Sequence, residues 1–83
     1  MEEGYKVTSI LVKDAKDVKD ISSILNKYEE DIDVKKGRYV IDGKSIVGLL
    51  MFIGMVVDIV LLNKNKSVAE KMRKDLKPWR VEG

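Results

Sequence analysis

The chemistry open to this chain is narrow. It contains no cysteine and no histidine, so thiolate chemistry and disulfides are excluded and a structural zinc site lacks its usual ligands. Carboxylates, ammonium groups and hydroxyls remain, and two short stretches set them at the starts of helices. The first is Asp14-Ala15-Lys16-Asp17. Asp14 or Asp17 can cap the helix that follows, because a carboxylate accepts from orphan N–H groups and suits the positive end of the helix dipole. The second is Asp42-Gly43-Lys44-Ser45, a turn followed by the apolar run Ile46-Val47-Gly48-Leu49-Leu50. Ser45 reads as the cap of a short helix, its hydroxyl oxygen placed to accept from an orphan N–H group. No loop has EF-hand spacing, so neither a metal nor a cofactor is expected.

The elements that hold these stretches must fit in one domain, since the chain has 83 residues. An apolar fraction of 45% suffices for one core. Sixteen basic residues against 14 acidic ones leave a net charge of +2, which gives no reason to expect nucleic acid as a partner. The basic residues toward the end, interleaved with Trp79, are diluted by Glu70, Asp75 and Glu82 and read as a solvated face. Met1-Glu2-Glu3-Gly4 lacks an apolar run, so no signal peptide is visible and a cytoplasmic protein is expected. One segment contests that. Ile46 to Leu62 is apolar apart from Asp58 and two glycines and is flanked by Lys44 and Lys64. It reaches the lower length for a membrane span, at a cost of roughly 3 kcal/mol for Asp58 in hydrocarbon. The alternative splits it into a short helix ending near Gly54 and a buried strand Val56–Leu62, whose β-branched residues fit a strand.

Along the rest of the chain, Tyr5–Val12 reads as a strand. Val18, Ile21, Ile24, Leu25 and Tyr28 recur on one face of a helix that Glu29-Glu30-Asp31 ends. Ile32–Lys35 and Tyr39–Ile41 form a hairpin about Lys36-Gly37-Arg38, with Gly37 free to take positive φ. Ser67-Val68-Ala69-Glu70 has the capping-box pattern. Val68, Ala69, Met72 and Leu76 follow as one stripe before Pro78 ends the helix, and Trp79 either folds back on the core or stays partly exposed. The order is β-α-β-β-α-β-α, which gives a two-layer α+β domain of four strands and three helices.

These segments resemble HPr, the histidine phosphocarrier family of the bacterial sugar phosphotransferase system, over nearly the whole chain. Gly43-Lys44-Ser45-Ile46-Val47-Gly48-Leu49 is similar to the region around that family's regulatory serine, and is the most specific part. Tyr5-Lys6-Val7-Thr8 resembles its first strand, and Asn26-Lys27-Tyr28 with Asp31-Ile32-Asp33-Val34 its helix exit and second strand. After Phe52 the chain is about one residue shorter than typical members. The resemblance implies an open-faced β-sandwich, a four-stranded antiparallel sheet with three helices on one face.

It also implies where function would sit. The family's His-Ala-Arg-Pro site falls on Asp14-Ala15-Lys16-Asp17, where only the alanine is kept. Asp14 can in principle form an acyl phosphate, but Asp17 in place of proline adds a like charge, and Lys16 lacks the guanidinium fork. Asp14, Lys16 and Asp17 are therefore a degenerate phosphocarrier site. Ser45 matches the serine that a dedicated kinase phosphorylates in the family, and an unmodified cap is the other role open to it. Ile46, Val47 and Leu50 match an apolar patch used to dock partners. With Met51, Phe52, Ile53 and Met55 they exceed what a two-turn helix can bury. The expected function is a non-enzymatic, regulatory or protein-binding relative of the carrier. Its expected partner is a phosphotransferase-system enzyme, a kinase, a transcriptional regulator or a second copy. The alternatives are a phosphoacceptor using Ser45 or Asp14, and a membrane protein spanning Ile46–Leu62.

Overall fold

A computed structural model describes residues 4–81; Met1–Glu3, with the leader reading made on them, and Glu82 and Gly83 lie outside that range. The strands are β1 (Tyr5–Val12), β2 (Ile32–Lys36), β3 (Tyr39–Asp42) and β4 (Met55–Leu61). The helices are α1 (Ala15–Leu25), α2 (Ile46–Leu50) and α3 (Lys66–Asp75), and a 3-10 turn, Lys77–Trp79, follows. All strand pairs are antiparallel, in the order β1-β4-β2-β3. This is the α+β arrangement expected.

Side-chain alternation sorts the sheet into two faces. Ile10, Val12, Ile32, Val34, Val57, Ile59 and Leu61 point to one side. There they meet Val18, Ile21 and Leu25 of α1, Leu49 of α2, and Ala69 and Met72 of α3 in a single core. The other face mixes polar residues (Lys6, Ser9, Asp33, Lys35, Asp58) with apolar ones, of which Val40 and Val56 are exposed and Val60 is buried. On it Ser9 Oγ donates to Asp58 Oδ1 at 2.7 Å, and Lys6 Nζ lies 3.6 Å from the same oxygen. Trp79 folds back and packs against the core. Val81 N then donates to Ser9 O at 3.0 Å and Arg80 bridges Ile10, so the end of the chain covers part of the β1 edge.

The apolar run Ile46–Leu62 is divided as β-branching suggests. α2 stops at Leu50, a turn covers residues 51–54, and β4 enters the middle of the sheet. No helix among the described residues is long and apolar enough to cross a membrane, which removes the spanning-helix alternative.

Three boundaries differ from the sequence reading. α2, expected to end near Gly54, stops at Leu50, where Met51 N and Phe52 N donate three residues back, to Gly48 O at 3.1 Å and Leu49 O at 3.0 Å, and the strand, expected over Val56–Leu62, is Met55–Leu61. α3 is capped by Asn65, not by a Ser67–Glu70 box: Asn65 Oδ1 accepts from Val68 N at 3.2 Å. Asn63 Oδ1 accepts from Asn65 N at 3.0 Å. That Asx turn starts the helix earlier and leaves Ser67 inside its first turn. Tyr28 does not lie on α1. The helix ends at Leu25, where Asn26 N and Nδ2 both donate to Ser22 O, at 2.9 and 2.8 Å. Tyr28 is nevertheless buried, reaching the core from the loop.

Candidate functional site

α1 starts where a residue in extended conformation presents a carboxylate to the first turn. Asp14 Oδ1 accepts from Asp17 N at 2.9 Å. Asp17, the other cap candidate, turns back instead. Its Oδ2 accepts from Lys13 N at 3.0 Å and pairs with Lys13 Nζ at 3.2 Å, and the residue is buried. Burial alone would raise the pKa of this carboxyl. The Trp79 indole and Lys13, through its N–H and its charge, outweigh that and hold it below the ordinary carboxylate value. Lys16 points along the helix to Asp20 Oδ2 at 3.2 Å. The helix end that would favour an incoming anion is therefore filled by two carboxylates of the chain itself, with both nearby ammonium groups paired. The structure brings Asp14 and Asp17 together and leads Lys16 away from them.

α2 starts differently. Asp42 Oδ1 accepts from Lys44 N at 2.9 Å, and Ser45 N donates to Asp42 O at 3.0 Å, which closes the turn. Ser45 Oγ, half-buried, then accepts from Gly48 N at 3.1 Å. The cap here is a neutral hydroxyl. Gly48 permits close approach to the sheet, because a Cβ there would lie 2.9 Å from Ile41 Cδ1. The two faces of α2 diverge. Leu49 is 0% exposed and Phe52, just beyond the helix, 4%; Val47 is 70% exposed, Ile46 45% and Leu50 44%. Ile46, Val47 and Leu50 thus form an apolar surface next to Ser45, since Leu50 lies one turn from Ile46.

Residues outside these stretches hold the turn. Asn26 Nδ2 donates to Lys44 O at 3.2 Å, and Lys44 Nζ donates to the Tyr28 carbonyl. Tyr28 OH donates to Asp75 Oδ2 at 2.6 Å, and Lys71 Nζ reaches the same oxygen at 3.2 Å. The Tyr28 hydrogen bond, with Lys71, lowers the Asp75 pKa against its burial; burial and Asp75 together push the Tyr28 phenol well above its usual range. This chain of contacts ties the Ser45 turn to the exit of α1 and to α3. Nothing in the spacing of Asn26, Tyr28, Lys44 and Asp75 discloses it, because the contacts join three separate elements. Among the described residues no group of acidic side chains is placed to hold a metal ion.

No family model matches the chain, and no curated protein matches it. Among solved structures it is similar to the crystal structure of HPr-C-His from Thermoanaerobacter tengcongensis, at 22% sequence identity and a TM-score of 0.63. The match covers 92% of this chain and 89% of the other. At that identity the likeness is one of fold, and the fold is HPr-like.

Proposed function

We propose that this chain is a non-enzymatic, partner-binding protein of the sugar phosphotransferase system, regulatory in role and without histidine phosphotransfer. One observation carries the reading: a helix in the position of an HPr docking segment buries Leu49 and keeps Val47 70% exposed, beside Ile46 and Leu50. Each large apolar side chain covered on association contributes roughly 1.5–3 kcal/mol before ordering costs. The partner is a phosphotransferase-system enzyme, a kinase or a transcriptional regulator, met in the cytoplasm. The chain has no histidine to carry a phosphoryl group. Affinity capture from native cell extract tests the reading with wild type and Val47→Glu side by side. A protein retained by wild type and lost with the variant is the expected result; equal retention, or none by either, removes the basis of the reading.

The second reading, a phosphoacceptor, is favoured at Ser45 and not at Asp14. The Ser45 hydroxyl is half-buried, neutral and beside an exposed helix face, whereas the Asp14 carboxylate caps α1 next to anionic Asp17. Incubation with labelled phosphoenolpyruvate and the first enzyme of the system is expected to leave Asp14 unlabelled. Base-labile label at that residue would reinstate it as an acceptor.

A further inference from the structure

The exposed surface continues past α2. The tip of the β2–β3 hairpin comes up against the turn after α2 and the start of β4. Between them lies an open groove of about 650 Å³, lined by Lys36, Arg38 and Tyr39 on one side and Met51, Phe52 and Met55 on the other. The hairpin is tight: Lys36 pairs with Tyr39, and Gly37 takes φ +60°, so the loop has the primed geometry that matches strand twist. This sets the three side chains of the tip on a rigid support.

The groove joins two kinds of surface. Its lining holds two aromatic rings and two thioethers, and Tyr39 and Met51 are each 69% exposed. Unbranched thioether side chains adapt to varied apolar shapes, which suits a contact surface. Its rim is cationic. Lys6, Lys13, Lys16 and Lys71 each pair with a carboxylate within the chain. Lys36 and Arg38 pair with none among the described residues, and no acidic side chain lines the groove.

We propose that this groove binds an acidic segment of a partner protein. An apolar side chain of that segment lies against Tyr39 and Met51, and its flanking carboxylates pair with Lys36 and Arg38. The proposal rests on the partner-binding reading and supplies the chemistry of the partner. Charge decides among occupants. A second copy related by a two-fold axis would bring Lys36 and Arg38 toward their own equivalents. A nucleic acid strand gains affinity from many phosphate contacts, and this groove offers two cations.

The test titrates the full ¹⁵N-labelled chain with a synthetic hexapeptide, Glu-Glu-Leu-Phe-Glu-Glu, and with its counterpart carrying lysine at every glutamate. The acidic peptide should move the amide signals of Lys36–Tyr39 and Met51–Met55, and bind several-fold more weakly as salt rises from about 50 to 200 mM. The double variant Lys36→Glu, Arg38→Glu lies on an exposed tip and leaves the core intact. It should lose about tenfold or more in affinity. Equal binding of the lysine peptide, equal binding by the double variant, or no shift up to about 5 mM peptide overturns the proposal. Shifts confined to Ile46, Val47 and Leu50 overturn the groove but leave the α2 docking face standing, so the two readings fail separately. A wild type that sediments as a dimer and dissociates in the double variant gives the groove to a second copy. Binding of a thymidine hexanucleotide with the affinity of the acidic peptide gives it to nucleic acid.

Discussion

The starts of α1 and α2 solve one problem with opposite consequences. Each exposes N–H groups that need an acceptor, and each gets one from its cap, Asp14 to Asp17 N at 2.9 Å and Ser45 to Gly48 N at 3.1 Å. At α1 the acceptor is charged, a second carboxylate is buried beside it, and Lys13 and Lys16 are both paired. That end of the helix is already complemented and repels a further anion. At α2 the acceptor is a neutral hydroxyl, and the next residues are apolar and exposed. The difference teaches that two helix starts in one fold can leave very different surfaces open, according to what already satisfies them. α1, with eleven residues and a buried stripe, is a structural strut. α2, with five, is held by Leu49 and Phe52 while Ile46, Val47 and Leu50 on its other side stay exposed.

The largest expected effect separates the two sides of α2. Leu49→Ala should destabilise the protein by about 2–5 kcal/mol, because Leu49 is fully buried between helices and sheet. Val47→Ala should stay within about 0.5 kcal/mol. Urea denaturation of both variants measures this. Comparable losses would mean that the outer side of α2 is packed in solution, and the contrast between anchored and free faces would collapse.

The α1 start should reveal itself through acid. Asp17 has a folded pKa below its ordinary value of 3.8. Its stabilisation is therefore complete above that value and is lost as pH falls through the lower, folded pKa. Asp17→Ala leaves Lys13 N without its charged acceptor. It should cost about 1.5–3 kcal/mol near pH 7, the usual contribution of a hydrogen bond to a charged group. The gap between wild type and variant should narrow below about pH 4 as wild-type Asp17 takes up its proton. A gap constant from pH 7 to pH 2 would show that Asp17 acts by packing alone.

How much of this was legible depended on whether the cause was local. The Ser45 boundary could be read, because a glycine turn, a cap residue and an apolar run stand together in sequence. The division of Ile46–Leu62 was legible from β-branching after Gly54. The α3 start was not legible, because both Asn65 and Ser67 are competent caps and Asn63 folding onto Asn65 makes the choice. Tyr28 had the right period for α1 but lies beyond the turn that Asn26 closes. The groove was not legible. Lys36, Arg38 and Tyr39 read as an ordinary polar turn, and they gain a second wall only when β4 enters between β1 and β2 and carries Met55 to the hairpin.

The smallest effect tests whether carboxylates are tolerated at α1 because donors meet them there. Asp33 is a carboxylate without that provision. It sits opposite Asp42 across the β2–β3 ladder. Burial raises its pKa above 3.8; Lys35 works against this, and Asp42 and Asp31 add to it. The sign is the reverse of that for Asp17. A raised folded pKa means that the folded state holds the proton more tightly, so this contribution favours folding at low pH and is lost as pH rises through the folded value. Above it, ionised Asp33 opposes the fold, as like charges facing across strands do. Asp33→Asn should therefore stabilise the protein at pH 7 by about 0.2–1 kcal/mol, with the gain disappearing near pH 3. Urea midpoints at the two pH values, read beside those of Asp17→Ala, should move in opposite directions relative to wild type at pH 7. A loss of stability for Asp33→Asn at pH 7 would mean that the ionised group has a favourable contact on the open face, and that the sheet does not discriminate between donor-rich and donor-poor positions as the start of α1 does.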